Sequence, residues 1–371
     1  MERTLEYKGM NLSLLEDNTW KLNNVSEGAQ LSGEVQGRPI THIAQYAFEY
    51  DSQLEDIVLP EGIRSAEAEA FMSRWVKRVW MPASMTELDG LAFSHCPHLL
   101  HIDVSPDNPC FSSEDGIMLS KDGSRLLRFP PDRTGSTLQL PESVVELARG
   151  SMAECWALLD VVIPPRVHEI GRFAFRECER MQSVVLEEGL QKLAPESFDG
   201  CFMLDYFKFP ESIENLEEGS PFGNLAIVKH LRLPSWATKL PSWFSDVVDP
   251  ASLNILEAEG ITLDKVPLEY KSALTRGAAE LYVQGIKPDE YAALDFMVYA
   301  GDWRQTFMME AIDNENLRAY LLDHGVLTSQ DVTIVASEAS KRGKVELAAT
   351  LLEYAQMKMA KSAATPRGLE L

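Results

Sequence analysis

The feature that most constrains this chain is a period of about 23 residues running through its first two thirds. From Ile40, ITHIAQYAFEYDSQLEDIVLPEG is followed by IRSAEAEAFMSRWVKRVWMPAS from Ile63 and MTELDGLAFSHCPHLLHIDVS from Met85. After a break come VVELARGSMAECWALLDVVIPPR from Val144, VHEIGRFAFRECERMQSVVLEEG from Val167 and LQKLAPESFDGCFMLDYFKFPES from Leu190. A looser copy starts at Ile213 and a degenerate one covers 237–260. The copies align in columns. Ile40, Ile63, Met85, Val144, Val167, Leu190 and Ile213 head them, and a small residue plus an aromatic follows at Ala47-Phe48, Ala70-Phe71, Ala92-Phe93, Ala174-Phe175 and Ser197-Phe198, with Ser151-Met152 as a variant. Each copy closes on a Leu-x-x-Val-x-Leu pattern, whose alternation predicts a short strand with Leu and Val inward. Prolines 60, 82, 164, 210 and 234 stop those strands, having no N–H to donate. No single coil can bury its own apolar residues, so neighbours must stack at a strand spacing of ~4.8 Å.

The skeleton I-x-x-I-x-x-x-A-F-x-x-C-x-x-L-x-x-V-x-L-P resembles the BspA-type leucine-rich repeat over roughly residues 31–260. The second copy departs from it, being one residue short with Arg74 in the Cys column. The resemblance implies a repeat solenoid, a right-handed and β-rich leucine-rich-repeat horseshoe of bacterial type with a hairpin insertion. It also implies adhesive or host-protein contacts when such proteins are exported.

The period fails around residues 105–137, where Lys121-Asp122-Gly123 between apolar runs predicts a hairpin. Insertions in solenoids map to one face, so this one is also a candidate ligand clamp. Residues 1–39 alternate apolar and polar side chains and read as a strand-rich cap over the first coil. The solenoid is expected over 40–264. From Lys265 the spacing becomes helical, with candidates at Pro267–Gln284, Pro288–Ala300, Trp303–Asp313, Asn314–His324, Ser329–Arg342 and Val345–Met359. This predicts a small all-α domain over 265–360 and a flexible tail over 361–371. Two of its segments, NENLRAYLLDHG and GKVELAATLLEYA, resemble the outer helices of ankyrin-type pairs, without the Thr-Pro-Leu-His signature.

Charge narrows the partners. The net charge is −23, of which residues 1–264 hold −20, and such a surface repels a phosphate backbone or an anionic membrane. Apolar runs stay under ten residues, too short to span a bilayer, and MERTLEYKGM has no apolar signal core, which predicts a cytoplasmic protein if this start is native.

Chemistry is sparse. Cys96, Cys155, Cys178 and Cys201 share one register three residues past the aromatic, which predicts a column of small buried side chains. The alternative is a redox pair between Cys155 and Cys178 or between Cys178 and Cys201; Cys110 lies outside the column. His95, His98 and His101 surround Cys96 in SHCPHLLHID, a tempting zinc set. Pro97 and the turn-to-strand change should aim those imidazoles apart, so neither a metal nor a cofactor is expected. Glu187-Glu188 and Glu217-Glu218 sit beside Gly in turns, where solvated carboxylates are ordinary. No Gly-x-Ser-x-Gly, His-Glu-x-x-His or phosphate-cradling glycine loop occurs, and the protein is expected not to be an enzyme.

The outward strand positions carry the functional expectation. Trp80, Leu100, Leu159, Val162, Val185 and Tyr206 should form one apolar band with charged borders, and such patches mark contact sites. This predicts a non-enzymatic module offering its concave face to a protein or peptide, or to a second copy of itself. The alternative is carbohydrate or small-ligand binding, or hydrolysis, at the insertion and rim, for which Trp80 beside Asp103 is the one hint.

Overall fold

The structure, a computed structural model, describes residues 4–50, 54–216, 219–223, 228–248, 255–257, 308–309, 311–323 and 327–364. Two compact units divide the chain; the first holds residues 1–228, 232–236 and 241–249, the second most of the remainder. The repeat builds a β-solenoid of about nine turns.

Each coil contributes two parallel strands, one to each of two sheet faces. The long-strand face is built from Asp56–Val58, Arg78–Met81 and His101–Val104, then from Asp160–Ile163, Ser183–Leu186 and Tyr206–Lys208. Its register steps one repeat per strand, as in Val79 beside Ile102 and Val184 beside Phe207. The other face comes from the segment that opens each copy: Arg38–Ile43, Ser65–Ala66 and Glu87–Leu88, then Glu146–Leu147, Glu169–Ile170 and Lys192–Leu193. The sequence pattern predicts the first strand and misses the second, because two ladder residues are too few to show a period of two.

Between the faces the columns run as expected. Phe48, Phe71 and Phe93 are buried and stack at 5.6 and 4.7 Å, their planes 12° apart, and Phe175 lies 5.0 Å from Phe198. Burying each ring is worth about 1.5–3 kcal/mol. Two sharp corners flank the ring, and non-glycine residues take positive φ at both: Glu69 (56°), Phe173 (60°) and Glu196 (57°) before it, His95 (59°), Glu154 (62°) and Glu177 (58°) after it. That conformation costs an L-residue about 1–2 kcal/mol, so it persists because the stack on either side dictates it.

A second ladder joins the turns after the long strands. The Glu61 carboxylate accepts the backbone N–H groups of Ala83 and Ser84 in the next coil, and Glu188 accepts those of Glu211 and Ser212. Glu211 in turn accepts from the N–H and hydroxyl of Ser235. Burial alone would raise the Glu61 carboxyl, but the hydrogen bonds from Ala83 and Ser84 hold it below the ordinary glutamate value. Glu188, expected to be an ordinary solvated turn residue, is therefore a clasp.

Thr4–Tyr7, Met10–Leu14 and Trp20–Val25 form an antiparallel meander whose last strand pairs in parallel with Arg38–Ile43. Trp20 is buried there and donates its indole N–H to the Val35 carbonyl, so the meander covers the first coil.

The break at 105–137 is only partly an insertion. Phe111–Glu114 and Ile117–Ser120 form a hairpin, and the Lys121-Asp122-Gly123 turn leads antiparallel into Arg125–Arg128. That strand then pairs in parallel with Glu146–Leu147, with Leu126 beside Leu147 in the apolar column. The Phe129 N–H bonds the Ser151 carbonyl, the bond that Phe175 makes to Ser197 one coil further on, and Thr137 bridges Asp160. Residues 125–137 are thus a hidden coil, disguised because Arg128 stands where other coils have Ala or Ser.

In the second unit, Glu315–Asp323, Ser329–Lys341 and Val345–Ala364 are helices, the last running five residues past its expected end and into the expected tail. Thr328 and Asp331 cap the second helix reciprocally, and Leu317, Leu321, Val332, Val335 and Leu351 form their core. The helices expected over 267–300 lie outside the described residues. No helix among the described residues is long and apolar enough to cross a membrane.

Candidate functional site

The cysteine column is buried and unbridged. Cys96, Cys155, Cys178 and Cys201 are each at most 3% exposed, and none forms a disulfide. The thiols do more than fill space: Cys96 donates to the Phe71 carbonyl, Cys178 to that of Met152 and Cys201 to that of Phe175, each one coil back. Cys155 follows the hidden coil, where it hydrogen-bonds the Thr134 side chain and lies 4.0 Å from the Ala153 carbonyl. Burial pushes the Cys96 and Cys155 thiols up to about 12 and raises Cys178 and Cys201 as well, so thiolates are suppressed near neutrality. Ellman's reagent should accordingly modify exposed Cys110 at once and the other four only on unfolding; rapid modification of more than one thiol would refute the packing.

On the long-strand face the alternation is regular. Arg78 and Trp80 point out while Val79 and Met81 are buried, and Asp160 and Val162 point out while Val161 and Ile163 are buried. Val58, Trp80 and Val162 are 63, 43 and 49% exposed, whereas Leu100, Leu159, Val185 and Tyr206 are half-buried. The band is not continuous. Asp103 sits beside Trp80 in the next strand and faces Arg78 at 3.4 Å, and Thr137 follows at the hidden coil. Two apolar clusters result, Val58 beside Trp80 and Val162 beside Val185, with Tyr206 beside Ser183 in the next strand. Asp103, beside Trp80, is also paired with Arg78.

The three histidines diverge. His98 faces Asp132 at 3.8 Å, and His101 packs against Gly116 in the hairpin. His95 occupies a positive-φ corner, where its ring lies 3.6 Å from Glu154 and 4.0 Å from Glu69. His95, Glu154 and Glu177 are the one group of potential metal ligands that converges among the described residues, their ligand atoms within 4.8 Å of one another. They share a register position two residues past the aromatic, yet the hidden coil separates His95 from Glu154 by 59 residues in sequence. The cysteine register gives the column, each member directly preceding Cys96, Cys155 or Cys178, but not the contact across the break.

Glu154 is almost wholly buried, and both its oxygens take the His95 N–H, at 2.9 and 2.7 Å. Burial raises its carboxyl above the ordinary value of 4.5, against the pull of Arg128 and His95. Arg128, 1% exposed, donates to the carbonyls of Phe93 and Gly150. Buried charges without such partners would be untenable. Here the guanidinium, donating to a carbonyl on each side of the break, joins the two halves of the array.

A cavity of about 500 Å³ opens beside the insertion, lined by Glu114, Asp115, Phe129, Arg133, Thr137 and Leu158 among others. It joins carboxylates, one arginine and apolar walls at the site expected for a ligand clamp.

A sequence profile described as BspA type leucine rich repeat region matches residues 34–109 and 133–244 in six copies. The gap between the two matches coincides with the hairpin and the start of the hidden coil. No curated protein matches the chain. Among solved structures, a leucine rich cell surface protein from Faecalibacterium prausnitzii A2-165 is similar, with 18% identity over 71% of this chain and 97% of that one and a TM-score of 0.46. The pneumococcal vaccine antigen PcpA shows 16% identity over 74 and 91%, with a TM-score of 0.39. A leucine rich repeat protein of T. pallidum shows 24% identity over 56 and 84%, with a TM-score of 0.31. With its six in-register copies, the two-strand coil they build and a match to half its length, the chain belongs to the BspA-type leucine-rich repeat family.

Proposed function

We propose that the protein is a non-enzymatic interaction module that offers the exposed long-strand face to a protein or peptide partner. The observation that carries this reading is the pair of exposed apolar clusters around Trp80 and Val162 on a rigid parallel sheet. Their charged borders are already paired across coils, Lys77 with Glu55 at 2.9 Å and Arg78 with Asp103, which leaves the rings and branched side chains as the available contacts. Free thiols on neighbouring coils support a reducing compartment for the module.

Affinity capture from source-cell extract with the wild type and with a W80A/Y206A variant tests the assignment. The variant should lose captured partners by about tenfold or more, the weight of interface anchors, while unfolding at the wild-type temperature. An unchanged capture profile refutes the face; loss of self-association alone, read by sedimentation, identifies a second copy as the partner.

The cavity at the insertion favours a second reading, binding of a small polar ligand such as a carbohydrate. Retention on a glycan array that survives W80A/Y206A would place recognition there instead.

A further inference from the structure

A separate concavity of about 400 Å³ lies at the sharp corners after the aromatic column, away from the long-strand face. Tyr50, Met72, Trp75, His95, Pro97 and Trp156 form most of its wall. The repeat explains how they meet. Trp75, Pro97 and Trp156 each directly follow the Cys-column position of their coil, occupied by Arg74, Cys96 and Cys155, and the coils on either side of the hidden one meet at this corner, where His95 donates to Glu154, so the three line one hollow. In the next two copies this position holds Glu179 and Phe202.

Trp75 is 51% exposed and Tyr50 is 70% exposed, so two large rings face solvent beside a preformed hollow. Acids surround it. Glu49 lines the wall, and His95 carries Glu69 and Glu154 on either side of its ring, with Glu177 in the same cluster. Arg74 also lines the wall, Arg176 pairs with Glu177 at 2.7 Å and Arg128 acts on Glu154 from the interior, so the four carboxylates exceed the guanidinium groups by one. Aromatic faces attract cations, tryptophan most strongly, and a carboxylate rim adds to that attraction.

We infer that this hollow takes the side chain of a lysine or arginine from a basic segment of a protein partner. The inference rests on the interaction reading above and adds a second contact point to it. An acidic array, with −20 on residues 1–264, draws a basic segment to its surface, and the hollow gives one of its side chains a fixed seat. Glu69 and Glu154 stay ion-paired or hydrogen-bonded to His95 and need not move to receive it.

Calorimetric titration of the full chain with a short lysine-glycine repeat peptide, its arginine counterpart and a length-matched glutamine-glycine peptide tests the inference. The basic peptides should bind and the glutamine peptide should not. A W75A/W156A variant should weaken binding about tenfold. Arg74→Ala should tighten it, since an unfavourable charge is removed, whereas an anionic ligand would need Arg74. Unchanged unfolding temperatures exclude misfolding, both rings being partly solvent-exposed. Equal binding of the glutamine peptide, or wild-type affinity in W75A/W156A, overturns the inference. So does tight binding of Zn²⁺ alone that H95A abolishes and that blocks the lysine peptide, which would make the corner a metal centre. The W80A/Y206A variant keeps the two readings separable: it should retain the basic peptides, and its loss of other partners speaks only to the long-strand face.

Discussion

Replacing Arg128 with Ala should destabilise the protein by about 3–5 kcal/mol, the cost of removing one side of a buried charged pair. The side chain is fully buried, donates to the Phe93 carbonyl before the break and to the Gly150 carbonyl after it, and sits in the field of Glu154. Removing it takes the guanidinium donor from the Phe93 carbonyl, leaves that of Gly150 the Ala153 N–H, opens a cavity and removes the cationic pull on Glu154. Solenoids are held together by nearest-neighbour interfaces, so a defect at one interface uncouples what lies on either side. Denaturant unfolding, expected in the wild type as one transition across this junction, should split into two, one for each half of the array. Arg128→Met combined with Glu154→Gln should recover much of the loss, since a neutral, similarly sized pair carries no buried charge. The pH dependence has a definite sign. The Glu154 carboxyl is raised above 4.5 by burial, so the stability it contributes is complete below that value and fades as pH rises through its folded-state value. Without Arg128 to oppose burial, that upper limit moves higher, and the deficit of Arg128→Ala should be larger at neutral pH than near pH 4.5. An Arg128→Ala protein that unfolds in a single unshifted transition would show that the hidden coil does not join the halves.

How much of this was legible depended on the range of the signal. The apolar and aromatic columns, the cysteine register and the outward positions of Trp80 and Val162 follow from residues 22 or 23 apart that repeat the same type. Repetition of one type is what a period makes visible. The clasp of Glu61 on Ala83 and Ser84 recurs at Glu188 and Glu211, but its donors are backbone N–H groups, which leave no mark on side-chain type. The coil at 125–137 escaped because Arg128 replaces the small residue and its spacing is compressed, so Phe129 lost its register. The cysteine register already aligns His95 with Glu154 and Trp75 and Pro97 with Trp156, but register does not say that the corners before and after the break touch, which the hydrogen bond from His95 to Glu154 requires. The functional candidates lie where the pattern breaks, since departures from a packing rule are tolerated at sites that serve something besides packing.

The ring column gives the second large effect. Phe71 stacks on Phe48 at 5.6 Å and on Phe93 at 4.7 Å, and its carbonyl receives the Cys96 thiol. Phe71→Ala should cost about 3–5 kcal/mol, the usual loss for a buried ring that leaves a cavity. Relaxation cannot refill the gap easily, because the neighbouring coils are pinned by the parallel ladders on both faces, Ser65 beside His42 and Val79 beside Ile102. Phe71→Leu keeps most of the volume and should cost less, near the ~1.5 kcal/mol limit for volume-conserving swaps. Since coils communicate only with neighbours, the damage should fall on the transition of the half that contains residues 34–109 and spare the other. Hydrogen exchange should report the same asymmetry: amides of Ser65–Ala66 and Arg78–Met81 lose protection in Phe71→Ala, while Asp160–Ile163 and Ser183–Leu186 keep theirs. A uniform loss of protection would mean that the stack behaves as one cooperative block, and a loss below about 1 kcal/mol that backbone ladders, not rings, carry the cohesion between coils.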